Sequence, residues 1–345
     1  MINDDILVSA NVRRLGLLDD IDISDGVGYE GDLVAIRTII DEISIDVMGA
    51  DGSSYYIEGE QIIIAVLGNR ESSTHVSGGV PEEGIAICED TQLHWIGGDS
   101  GIVGNLFLSP DANNEYSAEY AVKVCVLGLL YRNGNKINIK SLVEKPVITK
   151  LSIPVIFVSG TSAESGKTQL AIKIIKLLSQ SGKKVSAVKA TGSGGVLDSH
   201  AHLSAGAKMA YDQVDAGLIT TYTMADNFLS CIHNVFLLSQ QNDANVIVAE
   251  LGGDLCWANN PQLLSFTDVT ACVKGMFVVC NDAFSAIGVS KYISEFNIKF
   301  PVRYVASPFR NFDGMNKRFD RLINEIAIDP NSYESIGRSL DDFMM

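Results

Sequence analysis

The chain has 345 residues, 46% of them hydrophobic, which is enough to bury two separate cores of ordinary domain size. Its formal net charge of -16 repels phosphate backbones and no basic run offsets it, so we expect no binding to nucleic acid or to an anionic membrane. The sequence shows no apolar stretch of the length that spans a membrane and no leader pattern at its N-terminus. Its six cysteines are scattered without metal-ligand spacing, as in a reducing cytosol. We therefore expect a cytoplasmic protein of two domains.

Residues 1–148 are predicted to form a small all-β domain. Between about residues 34 and 140 the sequence breaks into short runs rich in β-branched residues, separated by Gly, Asn and Asp. That pattern is typical of a β-barrel or sandwich. Asn133-Gly134 stands between two apolar runs and predicts a hairpin there.

From residue 151 the pattern changes to alternating strands and helices. Residues 154–158 form a continuous apolar run, as expected of a strand covered on both faces, and residues 169–180 carry apolar side chains at helical spacing. Similar buried runs recur later in the chain. The order predicts an α/β domain with a mostly parallel sheet over residues 151–328, followed by a weakly ordered tail over residues 329–345.

A phosphate-binding motif lies between the first strand and the first helix of this α/β domain. It reads Gly160-Thr161-Ser162-Ala163-Glu164-Ser165-Gly166-Lys167-Thr168. In such a loop, backbone N–H groups and the helix N-terminus face phosphate oxygens, Lys167 brings a positive charge to the β and γ phosphates, and the Thr168 hydroxyl can ligate Mg²⁺. Five residues separate the two glycines where the common motif has four, so Thr161 takes the first motif position.

This variant loop resembles that of the dethiobiotin synthetase family, which belongs to the SIMIBI class of P-loop NTPases. The residues that match in register are Gly160, Thr161, Gly166, Lys167 and Thr168. Ser162 stands where the family has an aspartate. Together with the additional β domain, this departure indicates a reaction other than the synthesis of dethiobiotin.

Four later segments resemble the same family or domains related to it, in the same order. Lys189-Ala-Thr191-Gly192 is similar to a segment in which a lysine and neighbouring hydroxyls face substrate and phosphate, and Glu250-Leu-Gly252-Gly253 is similar to one whose glutamate helps to hold Mg²⁺. Asn281 and Ser307-Pro308 follow strands at positions where related domains recognise the base. The resemblance thus implies catalytic roles for Lys167, Lys189 and Glu250. It implies nucleotide contacts from residues 160–168, Asn281, Ser307 and Pro308.

Acidic residues near these segments are candidates for metal and substrate binding. A Mg²⁺ ion needs one or two carboxylates in addition to water and phosphate oxygens, and Thr168, Asp198 and Glu250 are the predicted ligands. The predicted substrate contacts are Thr191, Gly192, Ser193, Asp212, Asp215, Gly252 and Gly253. His200 and His202 are interpreted as part of a polar loop that lines the substrate pocket.

A second family is also similar. The order of Ala190-Thr191-Gly192, residues 212–217 and residues 250–253 resembles a family of two-domain P-loop proteins, some of whose members are described as N-acyltransferases acting on D-amino acids. This second resemblance implies that the loop could hold the phosphates of an acyl-CoA.

The expected function is transfer of a phosphoryl group from ATP, with Mg²⁺, to a small carboxylate-bearing acceptor, in a ligase-like enzyme. Two alternatives remain at this point: an acyl-CoA-dependent N-acyltransferase, and a nucleotide-gated regulatory NTPase that acts through a partner protein. We further expect a homodimer whose substrate is a small molecule.

Overall fold

The computed structural model describes residues 6–39, 44–71, 76–97, 100–108, 122–193, 196–223 and 226–345. The chain divides into two compact units. A β-rich unit comprises Met1–Glu144, Ser193–Leu197 and Gln213–Ala225, and an α/β unit comprises Lys145–Gly192, Asp198–Asp212 and Asp226–Met345. The main division falls between Glu144 and Lys145, and two segments from the predicted α/β domain belong to the β-rich unit.

The β-rich unit contains short strands: β1 (Ile6–Val8), β2 (Ile21–Ser24), β3 (Gly26–Gly28), β4 (Leu33–Thr38), β5 (Ile45–Met48), β6 (Ser54–Ile57), β7 (Ile62–Leu67), β8 (Ser77–Gly79), β9 (Ile85–Ile87), β10 (Thr91–Trp95), β11 (Ile102–Leu108), β12 (Val122–Arg132) and β13 (Asn135–Lys136). Strands β7, β4, β12, β10 and β11 pair in that order, and β11 pairs again with β7, so they close into a barrel. The hairpin predicted at Asn133-Gly134 joins β12 to β13, with both residues at positive φ.

Strands β4 and β7 of the barrel bury both of their faces. Along β4, Val34 and Ile36 belong to one apolar cluster, while Leu33 and Ala35 belong to another, as the alternation of side chains in a strand requires. The second cluster also contains Val214 and Ile219 of the segment Gln213–Ala225. Apolar packing of these side chains explains why a segment distant in sequence belongs to the β-rich unit.

The α/β unit alternates strands and helices: β14 (Val155–Gly160), α1 (Lys167–Gln180), β15 (Val185–Thr191), α2 (Val196–Ser204), β16 (Met209–Asp212), α3 (Phe228–Gln241), β17 (Val246–Leu251), α4 (Asn260–Ser265), α5 (Thr267–Thr270), β18 (Val273–Cys280), α6 (Ala283–Glu295), β19 (Val302–Ala306), α7 (Phe312–Ile323) and α8 (Tyr333–Met344). Its sheet has the order β16-β15-β17-β14-β18-β19, and all pairs are parallel. The predicted fold class, a P-loop α/β domain preceded by an all-β region, is confirmed.

The end of the chain differs from the predicted tail. Residues of the range 329–345 form helix α8, whose Ile336, Leu340 and Phe343 are buried in the same cluster as Phe277 of β18. Their spacing of four and three residues places them on one face of a helix, and burial of that face stabilises it. Gly275 leaves room for the Phe343 ring, which a Cβ at that position would contact at 2.5 Å.

Among the described residues, no helix combines the length and the apolar character that a membrane crossing requires.

Candidate functional site

The phosphate loop connects β14 to α1 within the α/β unit. Gly166 has φ +105° and is the N-cap of α1, and Glu164 also adopts a left-handed conformation, with φ +57°. A Cβ at Gly160 would overlap the Ser165 hydroxyl. The loop therefore needs glycine at residues 160 and 166, where the motif has it. The hydroxyl of Ser165 is buried and has no hydrogen-bond partner among the described residues, as expected of a polar atom that waits for a ligand.

Lys167 is folded back on its own loop. Its Nζ donates a hydrogen bond to the Ser162 carbonyl oxygen at 2.7 Å, and only 6% of the residue is exposed. Burial lowers the pKa of the Lys167 ammonium to about 8, although the Glu250 carboxylate acts in the opposite direction. The lysine is thus a poorly solvated charge that an incoming phosphate would stabilise.

Nucleotide binding is therefore expected to take up a proton. Phosphate oxygens favour the charged form of Lys167, whose pKa in the free protein is about 8, so binding at pH 8 should take up about half a proton more than binding near pH 6. As the pH rises through 8, the free protein loses this charge and its affinity falls. Isothermal titration in two buffers of different ionisation enthalpy measures the uptake. The variant Lys167→Arg stays charged and should lose the pH 8 component, whereas equal uptake in both proteins would contradict the assignment.

Other loops of the unit hold the phosphate loop in place. The backbone N–H of Thr161 donates to the Val279 carbonyl oxygen at 3.0 Å, and Nδ2 of Asn281 donates to the Ser162 hydroxyl at 2.6 Å. Pro308 packs on Gly166, where a Cβ would lie 2.5 Å from the proline ring. Of the predicted base contacts, Asn281 and Pro308 thus contact the phosphate loop itself. Ser307 is buried, and its N–H donates to the Cys280 carbonyl oxygen at 3.0 Å.

The hydroxyl of Thr168 joins two carboxylates behind the loop. Its Oγ1 donates a hydrogen bond to Glu250 Oε1 at 2.9 Å, and it lies 3.2 Å from Asp198 Oδ1. Glu250 is contributed by β17, Asp198 by α2 and Thr168 by the first turn of α1. The structure therefore brings together the three residues that the sequence predicts as metal ligands.

Lys189 and Glu250 form an ion pair with each other. They are register partners on the neighbouring strands β15 and β17, and Lys189 Nζ lies 3.7 Å from Glu250 Oε1. Lys189 also contacts Asp198. Parallel strands in register point paired side chains to the same face of the sheet. Lys189 and Glu250 thus contact each other on one face of the sheet. Their places at the ends of two different strands predict that they face bound phosphates from opposite sides, and for the nucleotide complex this stays a prediction.

His202 belongs to the same cluster, although the sequence analysis interpreted it as part of a polar loop. It lies on α2 and is buried, with Nε2 3.2 Å from Glu250 Oε2. Burial alone would raise the pKa of Glu250, but attraction by Lys189 and the contacts from His202 and Thr168 outweigh it, so the pKa lies below its usual range. Asp198 and His202 are four residues apart, a spacing that places two side chains on one face of a helix. This spacing could have identified His202 if the segment had been predicted as helical. His200 is exposed on the same helix.

The predicted substrate segments at Thr191 and Gly252 hold each other. The Gly252 N–H donates to the Thr191 carbonyl oxygen at 3.2 Å, and the Thr191 hydroxyl donates to Asn260 Oδ1 at 2.7 Å. Asn260 Nδ2 donates in turn to the carbonyl oxygens of Gly252 and Asp254 at 2.9 and 2.7 Å. Thr191 is fully buried. Its hydroxyl thus fixes the loop after β17, and Asn260, which the sequence interpretation missed, is the centre of that network.

Substitution of Gly252 should be costly because its Cα packs on backbone. A Cβ there would overlap the Thr191 carbonyl oxygen and lie 3.0 Å from Gly192 Cα. We expect Gly252→Ala to lower the free energy of unfolding by about 1–3 kcal/mol, as overpacking does. Gly288, in the middle of α6 with nothing within 4 Å of its Cβ position, is the matched control, and Gly288→Ala should raise stability by about 0.4–1 kcal/mol. Urea unfolding of both variants measures these changes, and equal stabilities would contradict the packing argument.

The remaining predicted substrate residues are dispersed. Asp212 is buried at the end of β16, in register with Lys189, and Gly253 lies in the loop after β17 with φ +71°. Ser193 and Asp215 belong to the β-rich unit, where Ser193 bridges to Thr220. Asp215 binds Arg13 at 2.7 Å and Arg14 at 2.8 Å and is buried by them. The ion pairs with these two arginines give the buried carboxylate a structural role within the β-rich unit.

The donors near Thr168 fit a magnesium ion. Among the described residues, no group of three or more His, Cys, Asp and Glu side chains has the arrangement of a metal centre. Thr168, Asp198 and Glu250 supply one hydroxyl and two carboxylates, and such a partial set of hard oxygen donors suits Mg²⁺, which keeps waters and phosphate oxygens as its other ligands.

Comparisons with known proteins find similarity only among solved structures, since no family profile and no curated protein matches the chain. The signal recognition particle receptor FtsY from Elizabethkingia anophelis, in complex with GDP, is 13% identical with a TM-score of 0.38, over 57% of this chain and 65% of that one, slightly less than two thirds. A ParA family ATPase from Chlorobium tepidum TLS is 12% identical with a TM-score of 0.34, over 56% of this chain and 89% of that one. A plasmid partition protein from Borrelia burgdorferi is 12% identical with a TM-score of 0.39, over 56% and 98% of the two chains. Similarity at this level carries no information on substrate or reaction. The resemblance to dethiobiotin synthetases stays a prediction from sequence.

Proposed function

We propose that the α/β unit binds ATP with Mg²⁺ and transfers the terminal phosphoryl group to a small carboxylate-bearing acceptor, which it thereby activates for condensation. The observation that carries this proposal is the contact of the Thr168 hydroxyl with both Asp198 and Glu250, one residue after the loop lysine. A phosphate loop, a lysine, a hydroxyl ligand and an acidic residue at a strand end are the parts that phosphoryl transfer requires from P-loop proteins.

Each of these residues has a role that follows from its chemistry. The N–H groups of the loop and of the first turn of α1 would bind the phosphate oxygens, and Lys167 would leave the Ser162 carbonyl to pair with them. Thr168 would ligate Mg²⁺, with Asp198 and Glu250 as direct or water-mediated ligands. When bound, the ion would neutralise charge on the phosphate oxygens.

Lys189 is the residue that would act on the acceptor during phosphoryl transfer. An acceptor carboxylate oxygen would form a bond to the γ-phosphorus while the bond to the ADP oxygen breaks, which yields an acyl phosphate and ADP. Lys189 would hold the acceptor and compensate the negative charge that moves during transfer, because the protein acts in such reactions mainly by positioning and charge neutralisation.

The carboxylates favour a metal–nucleotide complex over an acyl-CoA. Asp198 and Glu250 would repel the phosphates of a ligand that arrives without a divalent cation, whereas Mg²⁺ turns this repulsion into attraction. A regulatory NTPase would use the same nucleotide site without an acceptor. A small carboxylic acid should therefore accelerate ATP turnover by the proposed transferase but not by a regulatory NTPase.

A thermal-shift screen of ATP, GTP, CTP and acetyl-CoA, each with and without Mg²⁺, tests the nucleotide part of the proposal. At 100 times its dissociation constant a ligand stabilises the protein by about 2.7 kcal/mol, and we expect this for ATP only with Mg²⁺. Stabilisation by acetyl-CoA without metal would favour an acyltransferase. ADP release with a panel of small carboxylic acids then tests the acceptor: turnover that no acid accelerates would indicate a regulatory NTPase instead.

A further inference from the structure

The ammonium group of Lys189 lies between the two carboxylates of the candidate metal site. It contacts Asp198 Oδ2 and is 3.7 Å from Glu250 Oε1. Thr168 Oγ1 contacts the same two residues, at Asp198 Oδ1 and Glu250 Oε1. The Lys189 ammonium thus contacts both carboxylates that a hard cation would need as ligands.

The ion pair stabilises an acidic cluster that would otherwise be unpaired. The Glu250 side chain is 1% exposed and the Lys189 side chain 16%, and a buried carboxylate without a partner is strongly destabilising. Asp198 and Glu250 supply two negative charges that attract a divalent cation, although the nearby Lys167 ammonium offsets them as Lys189 does. A free cation must nevertheless compete with an ammonium group that already contacts the same carboxylates.

Lys189 has both the freedom and a reason to move when a polyphosphate arrives. Its side chain is a flexible four-carbon stem, and 16% of it is exposed. The negative charge of a phosphate chain at the loop offers the ammonium a new partner, whereas a free metal ion offers it none.

We propose that Lys189 makes this site selective for a metal–polyphosphate complex over the free metal ion. Its ammonium holds Asp198 and Glu250, and it releases them when phosphate oxygens replace the carboxylates as its partners. Lys189 is thus a specificity-determining residue of the site. This inference rests on the proposed nucleotide function.

Electron paramagnetic resonance of Mn²⁺, used in place of Mg²⁺, tests the inference on the full-length chain by counting free and bound ion. Wild-type protein should bind Mn²⁺ weakly alone and tightly with a non-hydrolysable ATP analogue. Lys189→Met should raise the affinity for free Mn²⁺ about tenfold or more, because the competing charge is gone, whereas Lys189→Arg should keep it weak. Lys184→Met is the matched control: it removes one positive charge from an exposed pair with Asp243 and should leave the affinity unchanged.

Several results would overturn the inference. They are tight binding of free Mn²⁺ by wild-type protein, an unchanged affinity in Lys189→Met, or an equal rise in Lys184→Met. If Lys189→Met does not fold, Lys189→Gln, which keeps N–H donors for Asp198, gives the same comparison. Mn²⁺-dependent binding of the analogue with no effect of Lys189→Met removes this inference alone, whereas absence of such binding in wild-type protein removes the proposed function with it.

Discussion

Lys167→Ala is expected to weaken nucleotide binding by about 30- to 100-fold while the protein stays folded. Charge-assisted contacts with phosphate contribute roughly 2–3 kcal/mol, and each 1.4 kcal/mol corresponds to a factor of ten. The fold should tolerate the change because burial already disfavours the charged form of this lysine, so its removal relieves a cost. Isothermal titration gives the affinity, and circular dichroism with thermal unfolding confirms the fold.

Lys176→Ala is the control for this substitution. Lys176 lies on the same helix α1 and is exposed, so it removes the same charge about 13 Å further along the helix axis. We expect the Lys176→Ala variant to bind nucleotide with an affinity close to that of the wild-type protein. Equal affinities in Lys167→Ala and wild type would refute the assignment of the phosphate loop, and an equal loss in both variants would point to net charge instead.

Glu250→Gln is expected to have two separate effects. The carboxylate is buried with Lys189, His202 and Thr168, so its loss breaks a buried pair and should lower the free energy of unfolding by about 3 kcal/mol. Because the same carboxylate is a proposed metal ligand, Mg²⁺ should also cease to strengthen nucleotide binding. Urea unfolding measures the first effect, and titration of nucleotide with and without Mg²⁺ measures the second.

Asp243→Asn provides the comparison for Glu250. Asp243 is exposed and pairs with Lys184 and Lys208 at 2.8 Å, so its substitution should lower stability much less than that of Glu250 and leave the metal effect intact. If Glu250→Gln lowers stability but keeps the full effect of Mg²⁺, then the ion pair with Lys189 is only structural, and the proposed metal site is refuted.

The parts of the site that were predictable from sequence are those encoded locally. The loop around Lys167 and Thr168 is contiguous, so its strand, glycines and helix could be recognised together. Glu250 follows an apolar strand, but its contact with Lys189 depends on β17 lying between β14 and β15. The sequence does not state the order of strands in a sheet. For that reason the sequence predicts both residues at the site, but their direct contact with each other could not be predicted.

Other contacts escaped prediction because they join segments far apart in sequence. Asn260 reaches Thr191, and Pro308 reaches Gly166, through the return of separate loops to one edge of the sheet. Helix α8 was missed for a related reason: its apolar face becomes evident only beside Gly275 and Phe277, which receive Phe343. Local composition at residues 329–345 is polar enough to be typical of a tail.

The segment Gln213–Ala225 has a practical consequence for dividing the gene. Val214 and Ile219 pack in an apolar cluster with side chains of the β-rich unit, such as Leu33 and Ile64. A fragment that begins at residue 151 would carry these two side chains without the residues that cover them. They would then form an exposed hydrophobic patch that promotes aggregation. A recombination event at residue 148 would likewise leave the β-rich unit without these two side chains of its apolar cluster. The two units are therefore expected to be inherited and exchanged as one piece.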